Sequence, residues 1–489
     1  MNPEVTLLAA VALPFVALPA VLALHRHPNL REAATLVTAL CLVLLVLSLV
    51  DQVQQGGRPA AQVVETLPGL AIAFEAEPLG VLFALLASFL WLVTSVYSIG
   101  YMRGHGEAHQ TRFYACFAAA LGSTMGVALA GNLFTLFIFY ELLTLTTYPL
   151  VTHSGNAAAR RAGRVYLGLL LGSSVAFFLL ALVATWSLTG TLAFRHGGIL
   201  AGVVSPATAG ILLALYLFGI GKAALMPLHR WLPAAMVAPT PVSALLHAVA
   251  VVKAGVFTVL KLAVYIFGLD YLAAIPLTQW LMYVAAVTLL LASLIALRQD
   301  NLKLRLAYST IGQLSYIVLG ALLATPAGVL GGGLHMVMHA FGKITLFFCA
   351  GAILVASGKT RVSEMRGLGR RMPFTMAAFL VASLSIIGMP PLGGFWSKWF
   401  LGLATLDADQ LVMLVAILAG SLLSVAYLLP IPLRAFFASG EGQPQAAPLQ
   451  EAPLACVAAL LLTALGCVAL FLFPDPLYRL LQLLAGPGY

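Results

Sequence analysis

The sequence predicts an all-α polytopic membrane protein of about fourteen transmembrane helices, and three observations carry that prediction. The chain has 489 residues, of which 62% are hydrophobic and only 8% charged, where a soluble domain is about 25% charged. Its apolar residues gather into runs close to the ~20 residues that cross a bilayer as a helix. No long polar linker divides the runs, so one membrane domain without a soluble domain is expected.

In chain order the candidate spans are 4–25, 32–51, 78–101, 113–130, 132–152, 164–188, 207–228, 241–265, 271–297, 304–323, 328–356, 373–405, 410–433 and 452–474. No basic segment precedes the first run, so it is expected to remain as a span and not to be removed as a signal. The five cysteines, Cys41, Cys116, Cys349, Cys456 and Cys467, lie in apolar segments without CxxC spacing. That suits small buried hydrophobes better than a disulfide frame, an iron–sulfur cluster or a zinc site. No cofactor motif is present, and neither a cofactor nor a metal is expected.

The net charge of +9 does not point to nucleic acid, because basic residues of membrane proteins collect in cytoplasmic loops. Alternate loops hold Arg26 and Arg31; Arg103 and Arg112; Arg160, Arg161 and Arg164; Arg230; Arg298, Lys303 and Arg305; Lys359, Arg361, Arg366, Arg370 and Arg371; and Arg434. The opposite loops and the C-terminal end hold Arg58, Arg195, Lys261 and Arg479. This bias places the first set in the cytoplasm and both termini outside.

The basic residues that remain are Lys222, Lys253, Lys343 and Lys398, each inside a predicted span. Glu141 is the acid deep in a span, while Glu75 and Glu77 border the third. A charge at a helix centre costs ~2.5–3.5 kcal/mol, so five facing lipid would cost about 12–17 kcal/mol together. They are therefore expected to face one another, a polar interior or water. Such groups mark ion and proton pathways.

Glu141 sits near the middle of the fifth span, where it is either a neutral acid hydrogen-bonded to Thr144 or a neighbouring helix, or a carboxylate paired with a lysine; Lys222 in the seventh span is the expected partner, since either alone would be an uncompensated charge. Lys222 lies shortly before Pro227, which breaks the helix; such breaks survive at membrane depth only beside protein or a water-filled cavity. His247 and Lys253 share the eighth span but, six residues apart, project to different faces unless the helix is distorted. For His247, a histidine satisfied within the core is an equal reading.

In the eleventh span His335, His339 and Lys343 stack on one face at i, i+4 and i+8. No carboxylate or cysteine completes a metal site there, and histidine titrates near neutrality, so a proton relay is the better reading. The twelfth run is too long for one straight crossing and is interrupted by Gly388, Pro390, Pro391, Gly393 and Gly394, with Lys398 following. Paired interrupted spans are the sequence mark of inverted-repeat transporters. The interrupted spans are five apart, an odd number, which predicts two inverted five-helix repeats. The resulting division is 1–112 for three N-terminal helices, 113–265 and 266–435 for the repeats, and 436–489 for the last helix.

Five motifs then add up to a family resemblance: FIFYELLTLTTYPLV, KAALMPLHRWLPAAMVAPTPVSALLHAVAVVKAG, LKLRLAYSTIGQLSY, MHAFGKITLFFCAGAI and IIGMPPLGGFWSKW. Over about residues 75–435 the chain resembles the antiporter-like proton-translocating subunits of respiratory complex I. It is most similar to the D-type subunits of Mrp-type multi-subunit monovalent cation/proton antiporters. The resemblance implies fourteen spans with the seventh and twelfth broken. The family's intramembrane acid falls on Glu141, its lysines on Lys222, Lys253 and Lys398, and its histidine–lysine face on His335, His339 and Lys343. Lys398 departs from the M-type subunit of complex I, which carries a carboxylate in that context. The sequence also ends soon after the fourteenth span, without the long lateral helix of L-type and A-type proteins.

The implied function is that of a transporter subunit in the cell membrane, not an enzyme. It would move protons, with Na+ as the exchanged ion, in the lipid bilayer beside the other subunits of an antiporter complex. The alternative is a proton-pumping membrane-arm subunit of a complex I-type oxidoreductase or a membrane-bound hydrogenase.

Overall fold

A computed structural model describes residues 2–67, 69–438 and 448–484. Among the described residues ten helices are long and apolar enough to cross a membrane: α1 (Pro3–Arg26), α2 (Pro28–Gln54), α3 (Pro78–Gly104), α5 (Leu133–Val151), α6 (Ala157–Thr189), α8 (Thr240–Phe267), α9 (Pro276–Arg298), α11 (Pro326–Ser357), α13 (Leu411–Phe437) and α14 (Leu454–Leu472). Two more, α4 (Gln110–Ala128) and α10 (Leu302–Leu322), are long enough but more polar. The remaining two crossings are interrupted: α7 (Pro206–Gly219) gives way to short turns, and α12 is split into Pro373–Ile387 and Gly394–Asp407. A short helix, α15 (Asp475–Gln482), closes the described chain.

The helix starts are written in the sequence. Pro3, Pro28, Pro78, Pro206, Pro276, Pro326 and Pro373 each stand in the first turn of a helix, where the missing N–H is not needed. Asn132, Asn156 and Asn301 cap α5, α6 and α10 by accepting N–H donors with their side chains, as short polar residues do at helix N-termini.

One element departs from the expected all-helical chain. Between α2 and α3, β1 (Ala60–Leu67) and β2 (Leu70–Glu75) form an antiparallel hairpin, with Ala60 opposite Glu75 and Leu67 opposite Leu70. It is pinned from outside: Ala73 N–H donates to Thr135 Oγ1 at 3.0 Å and Asn132 Nδ2 donates to Ala71 O at 2.8 Å. Tertiary bonds to α5 therefore set strand structure that local sequence pattern does not announce. The hairpin marks one end of the bundle, the hairpin face; the arginine-bearing loops mark the other.

Two groups of five helices, α4–α8 and α9–α13, carry the same features in opposite orientation. At the start of α5, Leu133 N–H donates to Leu192 O beyond α6 (3.0 Å); at the start of α10, Leu302 N–H donates to Thr360 O beyond α11 (2.9 Å). α6 and α11 both end at a left-handed glycine, Gly190 (φ 69°) and Gly358 (φ 70°). The next crossing in each group is the broken one. The capped start of α5 lies on the hairpin face and that of α10 on the arginine-rich face, so the groups are inverted. At the centre α8 is buried along its whole length.

Candidate proton-transfer axis

The break in α7 comes earlier than Pro227. The helix ends at Gly219, Lys222 stands in the turn that follows, and Pro227 lies further on. Side chains satisfy the freed backbone: Lys222 N–H donates to Tyr140 Oη (3.1 Å), Trp231 Nε1 to Gly221 O (2.9 Å), and Met226 N–H to Thr288 Oγ1 (3.3 Å). This is how a membrane-depth break avoids the cost of bare polar groups. Gly255 of α8 backs onto the turn, where a Cβ would overlap the backbone of Lys222 and Ala223.

The Lys222 ammonium is fully buried and donates to Tyr140 O at 2.8 Å and Thr144 Oγ1 at 2.6 Å, both on α5. The expected Glu141–Lys222 ion pair is not among the salt bridges of the described residues. Tyr140 and Thr144 share one helix face, and Glu141 is turned about 100° from Tyr140. Both carboxylate oxygens of Glu141 are shielded from water and make no hydrogen bond among the described residues. Lys222 thus rests beside the carboxylate, on its neighbours.

In the middle of the bundle, Lys253 Nζ on α8 lies 2.6 Å from Nδ1 of His339 on α11. The His339 ring stacks on His335 with centroids 5.9 Å apart. His335 contacts Ser397 Oγ through Nδ1 (2.9 Å) and Gln313 Oε1 through Nε2 (3.1 Å), and Tyr316 stacks on its ring. Ser397 adjoins Lys398 in the second half of α12. A chain of titratable and hydroxyl groups therefore runs from Lys253 to Lys398.

Lys398 closes the second break. Its ammonium donates to Ile386 O (2.9 Å) and Ile387 O (2.8 Å) at the end of the first half-helix of α12, and to Ser421 Oγ of α13 (2.8 Å). A cation at a helix C-terminus meets the orphaned carbonyls and the negative end of the dipole. The interruption falls at Gly388, in the left-handed region with φ 93°, and spans Pro390 and Pro391.

Lys343 faces another way along α11. It donates to Ser309 Oγ at 2.6 Å and Leu306 O at 3.3 Å on α10, and Ser309 is linked to Tyr427 (2.8 Å). His247 is fully buried with neither ring nitrogen hydrogen-bonded among the described residues, its ring against Phe347 at 4.6 Å. Residues Leu245–Val249, which include His247, form a π-helical turn.

The sequence reading placed Lys261 in a loop. It lies instead inside α8, fully buried, 3.4 Å from Glu77 Oε1. Because it stands near the end of an apolar run, hydropathy alone put it at the surface; the hairpin and the α4–α5 turn cover it. The neutral partners Tyr140, Gln313, Tyr316, Ser397 and Ser421 were also missed, since hydroxyls and amides in apolar helices carry no distinctive signal.

The family of NADH:quinone oxidoreductase/Mrp antiporter transmembrane proteins matches residues 130–424. NADH-quinone oxidoreductase subunit N of Desulforudis audaxviator is 32% identical over 391 residues, covering 79% of this chain and 76% of that one. NAD(P)H-quinone oxidoreductase chain 5 of Synechocystis is 34% identical over 73% of this chain, which spans only 56% of that longer protein. Among solved structures, a chain of the Mrp complex from Dietzia superposes with a TM-score of 0.86 at 23% identity, covering 99% of this chain and 97% of its own, a likeness of fold. A chain of the membrane-bound sulfane sulfur reductase, an archaeal respiratory membrane complex, also gives 0.86, at 27% identity, covering 97% and 96%. The chain belongs to the NADH:quinone oxidoreductase/Mrp antiporter transmembrane family.

Proposed function

We propose that this chain is the proton-translocating subunit of a multi-subunit Mrp-type monovalent cation/proton antiporter, with Na+ as the exchanged cation. The observation that carries the reading is the set of ionisable groups Lys222, Lys253, His339, His335 and Lys398, the first four buried and the last half-buried, each held by neutral or reversibly protonated partners. Lysines held by carbonyls, hydroxyls and imidazoles can give up a proton without breaking a fixed ion pair.

The roles follow from position. Glu141 is the carboxylate toward which Lys222 swings when it leaves Tyr140 and Thr144. Lys253 and His339 pass the proton between the halves, Lys343 and His247 tune its energy there, and Lys398 is the far station. The arginine-rich face is assigned to the cytoplasm and both termini to the outer side of the cell membrane. Residues 113–265 and 266–435 are assigned as the two functional repeats.

A second reading has specific support. Relatives and one structural neighbour are named as subunits of quinone oxidoreductases and of a respiratory complex. There the same axis would be driven by electron transfer in other subunits. Purification of the native complex, followed by flux assays in sealed vesicles, decides between them. Proton flux driven by a Na+ gradient, lost on Lys222→Ala with assembly intact, supports the antiporter. Co-purifying flavin and iron–sulfur subunits, with flux that needs a reductant, support the alternative. Flux untouched by Lys222→Ala and by Glu141→Ala contradicts both.

A further inference from the structure

A second ionic cluster lies at the hairpin face, outside the axis described above. Lys261 Nζ is 3.4 Å from Glu77 Oε1 and donates to Ala130 O at 2.8 Å. Tyr265 Oη donates to Glu77 Oε2 at 2.8 Å. Glu77 also caps α3, accepting from Leu79 N–H (2.8 Å) and Gly80 N–H (2.7 Å). The rings of Phe194 and Phe257 lie 4.3 and 5.4 Å from the ammonium. Four elements thus build the site: α3, α8, the α4–α5 turn and the loop after α6.

The cluster has a solvent side. Glu75, the last residue of β2, pairs with Arg58 at 3.5 Å, and their side chains are 24% and 34% exposed. Partial burial raises the Glu75 pKa above the ordinary carboxylate value, against the opposing pull of Lys261 and Arg58. Arg195 and His196 also adjoin the cluster: Arg195 N–H donates to Tyr265 O (3.3 Å), and the His196 ring lies 6.5 Å from that of Tyr265 with its Nε2 on Leu484 O (2.8 Å). On the inner side, Lys253 stands eight residues before Lys261 on the same helix, a rise of about 12 Å.

Stability alone is a weak reason for such a cluster. A buried ion pair often contributes no more than well-packed apolar residues of the same volume. Charge chemistry is the better reason.

We propose that Lys261 and Glu77 form the hairpin-side terminal pair of the proton route, linking Lys253 to water at Glu75. This rests on the proton-relay reading above. In one transfer the Lys261 ammonium gives its proton to the Glu77 carboxylate, leaving a neutral pair. Glu77 passes the proton to water beside Glu75 and is a carboxylate again. Lys261 recovers a proton from the axis, so one proton has crossed and both groups are restored.

The test uses the assembled complex in sealed vesicles, with proton flux followed while pH on the hairpin side is varied. Glu77→Gln is expected to lower flux roughly tenfold or more, as loss of a proton-transfer group does, and to flatten its dependence on hairpin-side pH. Glu77→Asp is expected to keep most of the flux. Tyr265→Phe removes one hydrogen bond and keeps the ring, and it is expected to displace the midpoint of the pH profile. Should Glu77→Gln not assemble, Tyr265→Phe carries the test alone. An unchanged flux and pH profile in the assembled variants, with Lys222→Ala inactive in the same assay, overturns the terminal pair only. Unchanged flux in Lys222→Ala as well overturns the relay reading, and the terminal pair with it.

Discussion

Lys253 Nζ and His339 Nδ1 lie 2.6 Å apart, and both side chains are buried. One proton serves this contact at any moment, either on the lysine or on Nδ1. Removing one partner leaves the other buried and unpaired, which costs about 1–3 kcal/mol. Lys253→Met and His339→Leu are each expected to lower the melting temperature of the purified complex. The double variant should lose less than the sum of the two, because residues in direct contact are coupled. Additive losses would show that the contact contributes nothing.

Lys222 and Glu141 make opposite demands on stability. Thr144 Oγ1 accepts from the Lys222 ammonium at 2.6 Å, and a hydrogen bond to a charged group is worth about 1.5–3 kcal/mol. Thr144→Val should therefore destabilise by that order. Glu141 makes no hydrogen bond among the described residues, so Glu141→Leu should leave thermal stability unchanged or raise it while abolishing flux. A stability loss in Glu141→Leu larger than in Thr144→Val would reverse this assignment.

The first helix break depends on Gly255. A Cβ there overlaps the backbone of Lys222 and Ala223, and overpacking of this kind costs roughly 1–3 kcal/mol. Gly255→Ala should displace the Lys222 turn from α8, destabilise the complex and reduce flux. Gly168, which has open space around it, is the control position: Gly168→Ala should do neither.

On the arginine-rich face, Asp300 accepts from Ser363 N–H (2.9 Å) and Ser363 Oγ (2.8 Å). These bonds hold its pKa below the ordinary aspartate value. A carboxyl whose pKa is lowered by folding contributes stability fully above the unfolded pKa of ~3.9, and that contribution is lost as pH falls through the folded value. Hydrogen exchange at Ser363, corrected for intrinsic rate, should accelerate on acidification below about pH 4. Asp300→Asn, whose amide oxygen still accepts but does not titrate, should show protection that acidification does not change.

The five intramembrane ionisable groups and the two broken crossings were legible in the sequence because a charge, or a Gly/Pro cluster, is conspicuous in an apolar run. What those charges touch was not. Lys222 rests on Tyr140 and Thr144, and not on Glu141, for a reason of helix rotation that only the packed α5 reveals. The π-helical turn at Leu245–Val249 alters the angle between His247 and Lys253 that a regular helix would give. Lys261 and Glu77 looked like residues at span ends, and their burial depends on a hairpin held by Thr135 and Asn132. Long-range bonds of this sort leave no local periodicity to read.

The central claim is that one buried route joins the two inverted halves, so its far ends must depend on each other. Proton flux per complex in sealed vesicles, compared for the native protein and the Lys398→Met variant, tests this most directly. The predicted result is loss of flux by roughly tenfold or more, with subunit composition preserved, although Lys222 and Glu141 are untouched. Native flux in assembled Lys398→Met would show that the first half conducts on its own, and would contradict the account.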